Sequence, residues 1–253
     1  MAGSQAQPVI EVRLLEHREE FAAAVRLQQE IWGFSDIDLL PVRLFVVARH
    51  IGGHALGAYD SGEMIGFCLA IPGLKPGGAY YLHSHMLGVR AAYRNAGVGR
   101  MLKLAQRDDA LARGIGLVEW TFDPLELKNA YFNIERLGAV VNRYVLNQYG
   151  ITSSQLGGGL PTDRCVAEWY VDSERVRTLL AGEPLPRPPI EDRIAVPLTI
   201  DRMRRDNPQQ ARAIQQQVSE KFLQCFAAGL TVIGLDRSEG SGTYLFGKKW
   251  PSE

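Results

Sequence analysis

Val89-Arg90-Ala91-Ala92-Tyr93-Arg94-Asn95-Ala96-Gly97-Val98-Gly99-Arg100-Met101-Leu102 sets a glycine-bearing turn between a strand and a helix. The preceding run from Tyr80 to Val89 is apolar and aromatic and reads as a buried strand. From Val98 onward, Val98, Met101, Leu102 and Ala105 recur at i, i+3, i+4 and i+7, which predicts an amphipathic helix. Between the two, Gly97 and Gly99 leave positions without side chains where backbone amides can approach a ligand closely. The first amides of a helix lack an intrahelical acceptor and lie at the positive end of its dipole. The turn therefore suits a pyrophosphate.

Two other nucleotide-binding patterns do not fit. A dinucleotide fingerprint needs a third glycine three residues after the second, where this chain has Leu102. A P-loop needs Gly-Lys-Ser/Thr, and no such tripeptide occurs.

Composition narrows the classes. Hydrophobic residues make up 46% of the 253 and charged residues 22%, as in a globular protein. With 28 basic and 28 acidic residues the formal net charge is zero, which argues against nucleic acid, an anionic membrane or strongly basic protein tails as partners. Cys68, Cys165 and Cys225 stand singly among apolar neighbours, so they read as buried thiols in a reducing compartment and offer no metal-ligand spacing. Residues 1–8, small and polar, are expected to form a disordered tail and lack the pattern of a signal peptide. No apolar run approaches the ~20 residues of a membrane span. A cytoplasmic protein without metal is expected.

Around the turn the chain reads as short strands and amphipathic helices. Val9 to Leu15 alternates as a strand does, and His17 to Trp32 follows helical spacing, with Phe21, Ala24, Val25, Ile31 and Trp32 on one face and Gln28 as a polar intruder. Pro41 opens a second helix that runs through His50 and stops at Gly52-Gly53. His54 to Asp60 and Glu63 to Ile71 form a hairpin, followed by a loop from Pro72 to Gly78. Gly114 and Gly116 end the motif helix, Leu117 to Phe122 is a strand, and Leu125 to Leu137 is a helix closed by Gly138. Val140 to Tyr149 and Arg164 to Val171 are strands separated by a loop from Gly150 to Pro161 that contains Gly157-Gly158-Gly159.

Residues 9–172 thus read as one domain and 173–189, with four prolines between Pro184 and Pro189, as a Pro-rich linker. Residues 190–253 form a C-terminal extension: a strand from Asp192 to Ile200, a helix opened by Asn207-Pro208, and a hairpin of Leu230 to Leu235 with Gly242 to Phe246. Ile214, Val218, Phe222 and Phe226 share one face of that helix. The extension is expected to pack on the core, where it closes the acceptor site, covers a sheet edge or supplies a homodimer contact.

The order β-α-α-β-β-β-α-β-α-β-β, together with Arg94-x-x-Gly97-x-Gly99, resembles the GNAT superfamily of acyl-CoA-dependent N-acyltransferases over about residues 8–172. Leu82-His83-Ser84-His85-Met86-Leu87-Gly88-Val89, Phe122-Asp123-Pro124-Leu125 and the extension resemble a longer bacterial group of that superfamily. The resemblance implies an α/β (α+β) fold: a mixed, mostly antiparallel twisted sheet flanked by helices, with an α/β extension. It also implies acetyl-CoA or another acyl-CoA as cosubstrate. Its pyrophosphate would sit on Arg94, Asn95, Ala96, Gly97, Val98, Gly99 and Arg100, and its pantetheine arm would pair with the backbone of Leu87, Gly88 and Val89.

Transfer to an amine requires a base or a water chain that accepts the amine proton. In the histone-acetylating branch a glutamate eleven residues before the first motif residue does this, and the matching position here is His83. His85, two residues on, points to the same face of the strand. An unperturbed histidine pKa of ~6.5 suits this work at neutral pH. Glu119 and Asp123 are the competing carboxylates. Many members also carry a tyrosine that protonates the leaving thiolate, but aligning Glu135-Arg136-Leu137-Gly138 puts Ile134 there, and Ile134 cannot donate. Tyr131, one turn earlier, is a substitute acid or a core aromatic. Asn129 and Asn133 are candidates to hydrogen-bond the pantetheine or thiolate. Arg164 and the Gly150–Pro161 loop are candidates to meet the acceptor, the arginine pairing with a substrate carboxylate or internally with Asp163 or Glu168.

The resulting expectation is a small-molecule N-acyltransferase. The longer group that this chain resembles includes members associated with N-succinylation of amino acids, so the resemblance implies transfer of an acetyl or succinyl group to an amine such as that of an amino acid. The alternatives are a CoA-binding regulatory protein without catalysis, motivated by Ile134, and a protein N-acetyltransferase, opposed by the net charge.

Overall fold

Strand β1 (Glu11–Leu14) opens an antiparallel sheet by pairing with β2 (His54–Asp60), which pairs with β3 (Glu63–Leu74), which pairs with β4 (Tyr80–Val89). The computed structural model describes residues 9–150, 159–185 and 187–248; the expected tail at 1–8 and the last five residues of the extension lie outside them. The chain divides into two units, residues 1–115 and 116–253.

In the first unit, α1 (Arg18–Trp32) and α2 (Val42–His50) cover one face of the four-stranded sheet and α3 (Val98–Ala112) the other. Strand alternation divides the core accordingly. Leu15, Phe21, Phe45, Met64, Phe67 and Leu69 pack on the α1/α2 side, whereas Leu56, Ile65, Cys68, Val98 and Leu102 pack beneath α3. Two expectations are corrected here. Pro72 does not open a loop, because β3 continues to Leu74 and pairs Pro72 with Leu82. Pairing with β2 ends at Ala70, so beyond it β3 has one open edge, where proline's missing N–H costs no ladder bond. On α3, Met101 is exposed, while Lys103 and Gln106 are buried with Val98 and Leu102.

The second unit is built on an antiparallel sheet of order β5-β7-β6-β9-β10-β8: β5 (Leu117–Phe122), β6 (Val140–Val145), β7 (Arg164–Tyr170), β8 (Asp192–Pro197), β9 (Thr231–Arg237) and β10 (Ser241–Gly247). The extension joins this sheet through β9, which meets β6 at Val141 and Val232. Helix α7 (Pro208–Ala227) buries Val218 and Phe222 and leaves Ile214 and Phe226 half-buried. Phe222 lies 5.3 Å from the Tyr144 ring on β6 and 5.0 Å from Tyr244 on β10. Asn207 caps this helix by accepting from Gln210 N at 3.2 Å, as its type predicts.

Other boundaries differ from expectation. The helix expected at 125–137 is α4 (Leu127–Tyr131) continued by a π-helical turn, Phe132–Arg136. Strand β6 ends at Val145 rather than Tyr149. Segment 173–189 is not linker throughout: α5 (Glu174–Ala181) occupies its first half, capped by Ser173, which accepts from Val176 N. Helix α6 (Ile200–Asp206) precedes α7 and was not anticipated. Among the described residues no helix is long and apolar enough to cross a membrane.

Candidate functional site

In the first unit, β4 delivers the chain to the glycine-bearing turn. A 3-10 turn, Ala91–Tyr93, bends it, Asn95 adopts φ 64° and Gly97 φ 85°, and α3 starts at Val98. A left-handed φ is open to glycine without steric cost, which is why this N-cap has no side chain. The first i→i−4 bond runs from Met101 N to Gly97 O at 3.0 Å. The amides of Val98, Gly99 and Arg100 precede it and no side chain caps them, the arrangement that accepts an anion. Arg94, Asn95, Ala96 and Gly97 are exposed, Val98 is buried, and Gly99 and Arg100 are half-buried. Arg94 curls back, its Nε donating to Val89 O at 3.3 Å.

The turn and the strand end come together as expected. A Cβ placed on Gly99 would lie 3.7 Å from Leu87 and 4.0 Å from Val89, so these two side chains floor the turn. Gly88 faces the other way, where a Cβ would meet Trp32 of α1 at 2.6 Å.

His83 and His85 are brought together, with ring centroids 5.8 Å apart. The register shifts at this point: Leu69 pairs with Met86 and Ala70 with Ser84, leaving His85 as the extra residue of a β-bulge. Downstream of the bulge the alternation is reset, so Leu87 and Val89 face α3. The expectation of near-neutral histidines is corrected. Burial, with His85 and Lys103 adding to it, lowers the His83 pKa to about 4, and burial lowers that of His85. Both rings are therefore neutral at pH 7.

Between α3 and the sheet lies a polar network that the sequence reading missed. Lys103 Nζ donates to Ser84 Oγ at 2.8 Å and to Gln106 Oε1 at 2.9 Å. That contact orients the Gln106 amide, whose Nε2 donates to Cys68 Sγ at 3.2 Å and to His54 Nε2 at 2.9 Å. His54 then presents its Nδ1–H to Asp109 Oδ2 at 2.6 Å, and Arg113 closes the chain on Asp109. Burial pushes the Lys103 pKa down to about 8, with Cys68 opposing the shift.

In the second unit, both competing carboxylates are held by arginines. Glu119, buried, accepts from Arg143 Nη2 at 2.6 Å, and the same guanidinium reaches Glu168 at 3.3 Å. Asp123 accepts from Arg204 Nη2 of α6 at 2.6 Å. Ile134 is fully buried and cannot serve as an acid. Tyr131 is half-buried beneath Arg237, whose Cζ lies 5.3 Å from the ring centroid. Asn129 is exposed, whereas Asn133 is 1% exposed and its Nδ2 donor meets no partner among the described residues. Such an orphaned donor is rare, and it sits in the π-helical turn, a form frequent at functional sites. Arg164 pairs with neither the Asp163 carboxylate nor Glu168. Its Nη1 donates to Asp163 O at 3.0 Å, and the guanidinium lies over Tyr149. Of the Gly150–Pro161 loop, residues 151–158 lie outside the described residues. Among the described residues no group of His, Cys, Asp and Glu could hold a metal ion.

Residues 13–138 match the family model described as "Acetyltransferase (GNAT) family". No curated protein matches the sequence. Among solved structures, the ribosomal-protein-S18-alanine N-acetyltransferase from Escherichia coli is similar at 15% identity and TM-score 0.51, covering 65% of this chain and 96% of that one. The Salmonella typhimurium protein yncA, solved with its cofactor acetyl-CoA, is similar at 16% identity and TM-score 0.53, covering 65% and 95%. At these identities the likeness shows the fold.

Proposed function

We propose that this chain, whose residues 13–138 match the GNAT acetyltransferase family model, transfers an acetyl or succinyl group from acyl-CoA to the amine of a small molecule such as an amino acid. The observation that carries the reading is the uncapped start of α3 behind Gly97, floored by Leu87 and Val89. There the residues from Arg94 to Arg100 hold the pyrophosphate through backbone amides, and the Leu87–Val89 backbone supports the pantetheine arm.

Acyl-CoA brings the activated carbonyl, and the chain supplies positioning and proton transfer. His83 or His85, kept neutral by burial, accepts the proton of the attacking amine. Glu119 and Asp123 are poor candidates for that work, because an arginine already neutralises each. Ile134 leaves the thiolate without the usual acid, so water or Tyr131 protonates it. Ile134 also favours the second reading, a CoA-binding regulator that does not catalyse.

Thermal-shift titration with acetyl-CoA, succinyl-CoA and CoA, followed by thiol release with pooled amino acids, tests both. Stabilisation with thiol release is the expected result. Stabilisation without release from any amine pool selects the regulator, and no stabilisation by any of the three ligands removes both.

A further inference from the structure

We propose that Lys103, on α3, is a positioning residue for the histidine pair: by holding Ser84 it fixes the place of the β-bulge that brings His83 and His85 together. This rests on the N-acyltransferase reading, and every residue involved belongs to the first unit.

The bulge has two neighbouring places open to it. As it stands, Ala70 pairs with Ser84, Leu69 pairs with Met86, and His85 is the extra residue. Moved back by one position, Ala70 would pair with His85 and Ser84 would be left over. Directly opposed residues share a face of the sheet, so the choice decides which side chain lies on the face of Ala70. That face is the one on which Cys68, two residues earlier on β3, packs beneath α3. Ser84 takes the position, buried, and His85 is kept off it. His83 pairs with Ile71, which packs against the α1/α2 core on the opposite face.

Lys103 settles that choice. Its Nζ donates to Ser84 Oγ at 2.8 Å and to Gln106 Oε1 at 2.9 Å. Gln106 is fixed in turn on β3 and β2, through Cys68 Sγ at 3.2 Å and His54 Nε2 at 2.9 Å. The ammonium is therefore located by two other strands before it meets β4. Cys68 Sγ also lies 3.8 Å from Ser84 Oγ, and an imidazole in place of the small hydroxyl would displace both neighbours. Burying an ammonium costs free energy, and a leucine or methionine would fill the space beneath α3 without that cost. What lysine adds is a charge and three donors, and its partner on β4 is the residue between the two histidines. Burial lowers its pKa only to about 8, so the group remains an ammonium at pH 7. That charge also helps to hold His83 neutral.

The experiment uses three variants of the full chain. Ser84→Ala removes only the hydroxyl, Ser84→Thr keeps it, and Lys103→Met keeps the side chain's length without its donors or charge. NMR reads which residue of β4 faces the backbone of Ala70, and thiol release with acetyl-CoA and succinyl-CoA reads turnover. In the wild type Ala70 should face residue 84 alone; in Ser84→Ala and Lys103→Met it should be shared between residues 84 and 85. Both variants should lower kcat about 10- to 100-fold, the cost of misplacing a catalytic group by about an ångström, with KM for acyl-CoA nearly unchanged. Ser84→Thr should restore most of that kcat. Lys103→Met should also move the acid limb of the rate to higher pH when His83 is the base, because His83 loses a neighbouring positive charge. Ile65→Ala, beneath α3 but outside the network, is the stability control: it should lower the Tm and leave the bulge and kcat unchanged. If Lys103→Met does not fold, Ser84→Ala alone decides. An unmoved bulge or an unchanged kcat in Ser84→Ala would overturn the proposal. A divided register in a protein whose wild type releases no thiol would support the clamp and count against acyl transfer, so the two readings fail separately.

Discussion

Lys103 Nζ donates to Ser84 Oγ at 2.8 Å, tying α3 to β4 where neither side chain is open to water. The ammonium is held at a cost, because burial brings its pKa from 10.5 to about 8. A base whose pKa falls on folding binds its proton more tightly in the unfolded chain. Between pH 8 and 10.5 the group therefore adds stability as pH rises. Lys103→Met removes that titration. The difference in Tm between wild type and Lys103→Met should grow in favour of the wild type from pH 8 to pH 10. A flat difference would show that Lys103 carries no burial penalty.

Gly97 and Gly99 separate folding from binding. Gly97 sits at φ 85°, so Gly97→Asp strains the backbone by about 1–2 kcal/mol and confounds a loss of binding with a loss of fold. Gly99 has no such constraint, and a Cβ there finds ordinary contact with Leu87 at 3.7 Å. An aspartate in the first turn of a helix also complements its dipole. Gly99→Asp should therefore keep or raise the Tm while it abolishes stabilisation by acetyl-CoA, since it puts negative charge beside the pyrophosphate. Undiminished CoA affinity in this folded variant would remove the pyrophosphate assignment.

The histidine pair predicts the shape of the pH profile. With the pKa of His83 at about 4 and that of His85 lowered, both are free bases throughout the neutral range. The acid limb of the rate should lie below the 6.5 of a free histidine, and near pH 4 if His83 is the base. His83→Gln/His85→Gln should cost about 10²–10⁴ in kcat with little change in acyl-CoA affinity. Stability has its own sign: the unfolded chain binds these protons more tightly, so the wild type should lose stability as pH falls from 6.5 towards 4, and the double variant less so. Normal turnover by the double variant would make the pair structural.

Elements with a clean period were legible from sequence: Tyr80–Val89 as a strand, Val98 as a helix start, Asn207-Pro208 as a cap. Pro72 misled because a proline argues against a strand unless the strand's edge is open, and that is a property of the neighbour. The π-helical turn at Phe132–Arg136 departs from helical spacing by one residue and leaves no compositional mark. The site was legible where glycine spacing shaped backbone and illegible where charge was buried. Lys103 and Arg204 are buried, and Arg143, itself exposed, holds the buried Glu119; nothing in the local sequence marks these pairings, because the acid and hydroxyl partners lie far away in sequence. One signal was present: Gln106 falls eight residues after Val98, on the buried stripe of α3.

Phe222 gives the sharpest test of what the extension does for the second unit. Its ring meets Tyr144 at 5.3 Å, Tyr244 at 5.0 Å and Phe246 at 5.3 Å, so one side chain links β6 to two aromatics of β10. It is fully buried. Phe222→Ala should destabilise by about 3–5 kcal/mol, the cost of emptying an aromatic site in a packed core. A chain ending at Glu183 goes further, because it strips β9 from Val141 and uncovers Tyr144 together. It should be poorly soluble or aggregate, since an apolar face of that kind does not persist in water. Leu223, on the same helix but 39% exposed, provides the control: Leu223→Ala should shift the Tm far less than Phe222→Ala. If the shortened chain were monodisperse and as heat-stable as the full one, or if the two alanine variants melted alike, the extension would be an accessory rather than part of the core.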